Sequence, residues 1–154
     1  MIRDLALAPH PEGGFFREIF RSPLLIDPLD GRPRRAASTT IFFLLVRGQM
    51  SRWHAVRSDE VWHLYEGSPL ELFIAPTAAG PIERTLLGPV AEHCAPTRTV
   101  PAGCWQAARP AGDYVLAGCT VAPGFEYEDF RMLADDPEAA ARLRAAAPDL
   151  AVML

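Results

Sequence analysis

Fifteen prolines and eleven glycines are scattered through 154 residues, and they leave no room for a long regular element until the last twenty positions. Proline fixes φ and removes a backbone donor, and glycine marks turns, so each one cuts a helix or strand short. What lies between the cuts reads mostly as strand. Phe15, Arg17 and Ile19 alternate with Phe16, Glu18 and Phe20, the period-two pattern of a sheet with two different faces. Residues 24–35 are rich in Pro, Asp, Gly and Arg without periodicity and read as a loop, whereas residues 38–46 read as a well-buried strand. Segments 60–66 and 70–75 flank Gly67-Ser68-Pro69, which predicts a hairpin. Further strands are expected over 82–87, 98–100 and 114–121. Only the end is helical in pattern: Asp136 caps, Pro137 suits the first turn with Glu138, and Pro148 stops the run. Leu143 with Ala139, Ala140, Ala146 and Ala147 supplies an apolar stripe to pack on a sheet. Many short strands with Gly/Pro turns predict an all-β sandwich, jelly roll or barrel in one domain, the chain being close to the about 150 residues typical of one.

Charge and composition narrow the partners. A net charge of -4 offers no basic footprint, so nucleic acid is not expected. The longest strongly apolar run, 41–46, is too short to span a bilayer, and the first five residues carry an early acid and do not read as a signal peptide. A cytoplasmic chain without membrane partners is expected. Cys94, Cys104 and Cys119 form no C-x-x-C pair and fit a reduced compartment as small buried hydrophobes. All fifteen basic residues are arginine. Without lysine, Schiff-base chemistry and a P-loop are excluded.

One stretch carries the candidate chemistry. Gly48 is followed after five residues by His54, then Glu60 and Gly67, and farther on comes Pro101-Ala102-Gly103-Cys104-Trp105-Gln106. Side chains two apart on a strand share a face, so such spacing converges polar groups on one point inside a barrel. The spacing resembles the two signatures of the cupin superfamily, with glutamine where the second signature carries histidine. His10-Pro11-Glu12-Gly13-Gly14-Phe15-Phe16-Arg17-Glu18, the run Ser38 to Leu45, and Gly118-Cys119-Thr120-Val121-Ala122-Pro123-Gly124-Phe125-Glu126 are similar to a small cupin family of single-domain proteins, largely without an established function. The resemblance spans roughly His10 to Leu133. It implies a double-stranded β-helix (cupin jelly-roll barrel) with a short C-terminal α-helix: one domain over 1–154, barrel about 14–125, helix about 136–147, commonly a homodimer.

In metal-binding cupins the matching positions would be His, His, Glu and His; here they are His54, Val56, Glu60 and Gln106. Valine cannot ligate, and strand parity turns His63 away from Glu60, so no cofactor is expected. A divalent metal, if one is held, would use His54, Glu60 and Gln106. The alternative reading is a metal-free cavity for a small-molecule ligand. His54 would be the base, Glu60 would fix its tautomer, and Gln106 would position substrate.

Arg52-Trp53-His54 resembles the R-x-H element of nucleotide-sugar 3,5-epimerases, and Gly14 to Glu18 is similar to their N-terminal strand. That resemblance implies substrate contacts from Phe16, Glu18 and Arg52. Those enzymes place a lysine in the pocket, so Arg17 or Arg52 would have to supply the charge and Tyr65 or Tyr114 the acid. His10 and Glu12 stand as second-tier candidates, because the Glu12-Gly13-Gly14 turn lets backbone approach a ligand. Trp53, Trp62 and Trp105 flank the motif positions; core packing is expected of them, with Trp105 the candidate stacking wall. The expected function is small-molecule binding, with isomerisation or epimerisation of a carbohydrate or nucleotide-sugar-like substrate. The alternatives are a metal-dependent oxygenase or isomerase and a non-enzymatic metabolite-binding protein.

Overall fold

The computed structural model describes residues 1–154. Two six-stranded sheets face each other, and the chain crosses between them repeatedly. The first sheet holds, in spatial order, β1 (Ala8–Pro9), β2 (Phe15–Arg21), β5 (Thr39–Val46), β13 (Tyr114–Ala122), β7 (Asp59–Gly67) and β11 (Thr97–Val100). The second holds β10 (Cys94–Ala95), β9 (Glu83–Leu87), β8 (Leu70–Ala75), β12 (Trp105–Pro110), β6 (Ser51–Val56) and β14 (Phe130–Met132). A small pair, β3 (Leu25–Ile26) with β4 (Arg35–Ala36), brackets most of the segment expected to be loop. This is the double-stranded β-helix, closed by a single C-terminal helix, α1 (Pro137–Ala146).

The crossing pattern corrects one expectation. β7 and β8 do not pair as a hairpin; they belong to different sheets, and Gly67-Ser68-Pro69 is a corner between them. Gly67 sits at φ +100 with its absent Cβ only 2.4 Å from the Tyr114 carbonyl oxygen, which also accepts from the Ser68 hydroxyl at 2.8 Å. The turn residues are those of a hairpin because the local bend is similar, but pairing is decided by β13, which lies between β5 and β7.

A second correction concerns β2. Its register against β5 shifts between Glu18 and Phe20, so the extra residue Ile19 breaks the alternation. Phe16 and Glu18 face the interior as expected, but Phe20 turns half-exposed to solvent and Arg21 takes its place on the inner face.

The core has two parts. Between the sheets, Phe43, Leu45, Trp62, Leu72, Val115 and Ala117 form a dry cluster. On the outer face of the second sheet, Trp53, Phe73 and Trp105 are covered by Leu133, Leu143, Leu150 and Met153. Asp136 caps α1 by accepting from the Ala139 N–H at 2.9 Å, and Ala139, Ala140 and Leu143 are buried. Ala146 is exposed rather than part of the stripe. Strand alternation ties the two cores together: on β6, Trp53 and Ala55 point to the helix while His54 and Val56 point inward. β12, like β6 not among the expected strands, repeats this with Trp105 and Ala107 outward and Gln106 inward. No helix is long and apolar enough to cross a membrane.

Candidate functional site

Between the sheets, at the end nearer residues 125–130, the barrel encloses a cavity of about 100 Å³. Its floor is polar. β6 contributes His54, β7 contributes Glu60, and the turn before β2 folds inward to deliver His10 and Glu12. That turn is possible because Gly13 and Gly14 take φ +116 and +68; a Cβ on Gly13 would lie 2.2 Å from the Met50 carbonyl oxygen.

His54 is 2% exposed and its tautomer is fixed. Nδ1 lies 2.7 Å from the Arg52 carbonyl oxygen, which can only accept, so Nδ1 carries the hydrogen and Nε2 the lone pair. Nε2 faces Glu12 Oε2 at 3.3 Å, and the Phe130 ring stacks on the imidazole at 5.3 Å. Burial pushes the imidazole pKa down, opposed by the charge of Glu60 and the Arg52 carbonyl. It rests as a neutral base.

Glu12 is the nearest carboxyl to that base, a role expected of Glu60. Its Oε1 accepts from the Ser51 hydroxyl at 2.7 Å, and Oε2 also lies 3.3 Å from His10 Nδ1. Burial pushes its pKa up to about 8, against the opposing Ser51 hydrogen bond and Arg52 charge, so it keeps its proton at neutral pH. His10 is pushed down to about 4 by burial and by repulsion from His54. Glu60 is raised by burial, and its Oε2 accepts from Gln106 Nε2 at 2.5 Å. Gln106 Oε1 in turn accepts from the Trp62 indole at 2.9 Å.

The walls are aromatic and aliphatic: Phe16, Ile41, Phe43, Val121, Phe125 and Phe130. At the mouth, Arg21 donates to both Glu18 oxygens at 3.0 and 2.9 Å, to Glu126 at 2.8 Å and to the Phe125 carbonyl at 3.2 Å. Tyr127 completes the rim.

Of the residues named from sequence, His54, Glu60, Phe16 and Glu18 line the cavity, and so do His10 and Glu12. Gln106 does not; it is buried behind Glu60 and orients that carboxyl instead of touching a ligand. Arg52 lies outside the wall, donating to the Pro11 and Glu12 carbonyls at 2.6 and 3.4 Å and so holding the inward turn. Trp105 faces α1, with the Arg131 guanidinium over its ring at 4.6 Å, because it alternates with inward-facing Gln106. Arg17 lies over Phe42, and Tyr65 stacks with His63. Tyr114 is half-buried and bonded to Glu66; neither tyrosine lines the cavity to serve as its acid. Arg21, Phe125, Glu126, Tyr127 and Phe130 were not anticipated. The Gly118 to Glu126 match to a cupin family covers two of them, whereas the bulge that turns Arg21 inward has no local signal.

The donors do not fit a divalent ion. Val56 occupies the second-histidine position, the Gln106 amide is engaged by Glu60 and Trp62, and no three His, Cys, Asp or Glu side chains converge closely enough to hold a metal.

A family model described as Cupin superfamily (DUF985) matches residues 1–133. A solved protein from Shewanella oneidensis is 31% identical with a TM-score of 0.82, covering 98% of this chain and 90% of that one. A hypothetical protein from Leishmania major is 32% identical with a TM-score of 0.83, covering 99% and 93%. A cupin 2 domain-containing protein from Halorhodospira halophila, 16% identical with a TM-score of 0.58 over 96% and 86%, shares the fold. No curated protein matches the chain.

Proposed function

This chain belongs to the Cupin superfamily (DUF985) family, and from that premise we propose that its cavity takes a small carbohydrate-like molecule and moves a proton on it. The reaction class is isomerisation or epimerisation at carbon next to a carbonyl, without a metal. One observation carries the reading: a neutral imidazole with a fixed lone pair lies beside a carboxyl that keeps its proton, inside a largely apolar cavity. A base and an acid matched to neutral pH and adjacent in space are what proton abstraction needs.

His54 Nε2 takes the proton from carbon, and the C–H electron pair becomes the carbon–carbon double bond of an enediol. The carbonyl oxygen gains its proton from Glu12. Return of the proton from His54 to the neighbouring carbon, with the enediol's other hydroxyl giving its proton back to Glu12, yields the isomer. Return to the first carbon after the enediol has turned its other face to His54 yields the epimer. The 3.3 Å contact between Nε2 and Glu12 is long for a hydrogen bond, so a substrate displaces little on entering. Glu60, held by Gln106, adds its field on the imidazolium that forms.

Size limits the ligand. One water needs about 10–15 Å³ of such space, so about 100 Å³ suits a monosaccharide-sized molecule. A nucleotide tail would lie outside the mouth.

The test is solvent exchange. Incubating the protein with aldoses and ketoses in D2O should wash deuterium into the carbon next to the carbonyl, read by proton NMR, and His54→Gln should abolish it with an unchanged circular dichroism spectrum. Exchange that persists in His54→Gln, or no sugar exchanging faster than in buffer, overturns the reading. Thermal stabilisation by a sugar without exchange assigns the cavity to binding alone.

A further inference from the structure

The wall of the cavity contains four glutamates and a single arginine. The arginine is largely committed: four of its five N–H groups go to Glu18, Glu126 and the Phe125 carbonyl, and its charge is already matched by two carboxylates. Glu12 and Glu60 are 5% and 6% exposed, and neither pairs with an arginine. They are close enough that charge on Glu12 raises the Glu60 pKa further, on top of burial. The nearest outside cation, Arg52, binds the backbone behind Glu12 and lies outside the wall. Around these acids stand the faces and edges of Phe16, Phe43, Phe125, Phe130 and Tyr127.

We propose that the ligand of this cavity bears a protonated or quaternary nitrogen: a small organic ammonium, and among carbohydrates an amino sugar, not a phosphorylated one. Buried carboxyls without a partner charge stay protonated or wait for a cation to complete them. Aromatic faces attract an organic cation through their quadrupoles and tolerate its hydrocarbon shell. A phosphate would meet Glu18 and Glu126 at the mouth and would have to strip Arg21 from both. An inorganic divalent ion would lack converging donors. The inference rests on the cavity being the ligand site, as proposed above, and does not depend on turnover.

Two isosteric pairs separate charge from shape: glucosamine against glucose, and choline against 3,3-dimethylbutan-1-ol, with glucose 6-phosphate as the anionic control. Affinities are measured by calorimetry near neutral pH on the wild type and on His54→Gln, so that binding is read apart from exchange. The ammonium member of at least one pair should bind about tenfold tighter than its neutral isostere. Glu12→Gln/Glu60→Gln should remove that preference. Phe130→Leu, which leaves every charge in place, should weaken the ammonium ligand more than the alcohol and guards against a double variant that fails to fold. Equal or tighter binding of the neutral members, tightest binding of the phosphate, or no binding by either pair overturns the proposal. Deuterium exchange into neutral sugars together with absent ammonium preference would leave the proton-transfer reading standing and remove this one.

Discussion

Glu12→Gln isolates one strong electrostatic strain in the barrel. The carboxyl is pushed from its ordinary 4.5 to about 8 by burial. A carboxyl whose pKa is higher in the folded chain supports folding fully below 4.5, and this support is lost as pH rises through about 8. Between those values each pH step costs about 1.4 kcal/mol, so from pH 5 to pH 8 Glu12 withdraws about 4 kcal/mol. His10 works in the opposite sense. Its pKa falls from 6.5 to about 4, so its contribution is present above 6.5 and lost as pH drops through about 4. The two offset each other between about pH 4.5 and 6.5, and from there to about 8 the Glu12 decline is no longer opposed by His10. Glutamine reproduces the protonated acid, accepting from Ser51 and donating toward His54, but cannot ionise. Urea unfolding at half-unit steps from pH 5 to 8 should show wild type and variant close together at pH 5. They should then separate, with the variant more stable by about 4 kcal/mol at pH 8 and with unchanged m-values. A difference that stays constant over this range would refute both the burial argument and the assignment of Glu12 as a neutral acid.

Two further perturbations test the scaffold. Leu143→Ala empties a fully buried position between α1 and Trp53, Phe73 and Trp105, and should destabilise by about 2–5 kcal/mol in denaturant titrations. Gly13→Ala forces a Cβ to 2.2 Å from the Met50 carbonyl at φ +116. It should cost at least about 1–3 kcal/mol of stability, with the inward turn and its Glu12 contact displaced, visible as altered His54 ring shifts by NMR.

The alternation in β2, the apolar run of β5 and the Asp136-Pro137 helix start were legible because each is local chemistry: period, branching, capping. What failed was non-local. Gly67-Ser68-Pro69 states that the chain bends but not which strand waits beyond the bend, and that strand is β13, nearly fifty residues later in sequence. In the cavity, His54 and Glu60 could be read from motif spacing, yet the side chain that meets Nε2 comes from Glu12, brought in by a glycine turn whose depth depends on Arg52 gripping its carbonyls. Gln106 was placed on the right face but one layer too close, since only the packed barrel shows that Trp62 and Glu60 use both ends of its amide. The bulge at Ile19 shifts every later residue of β2 and has no signature in composition.

Trp53 and His54 are consecutive, and β6 sends them in opposite directions: the indole N–H reaches the Leu150 carbonyl in the C-terminal turn at 3.3 Å, while the imidazole occupies the floor of the cavity. The tail therefore acts on the base like a hand on the far end of a lever. Tail substitutions that shift the indole would re-aim Nε2 without ever approaching a ligand, and attempts to remodel the cavity do best to leave the last twenty residues alone.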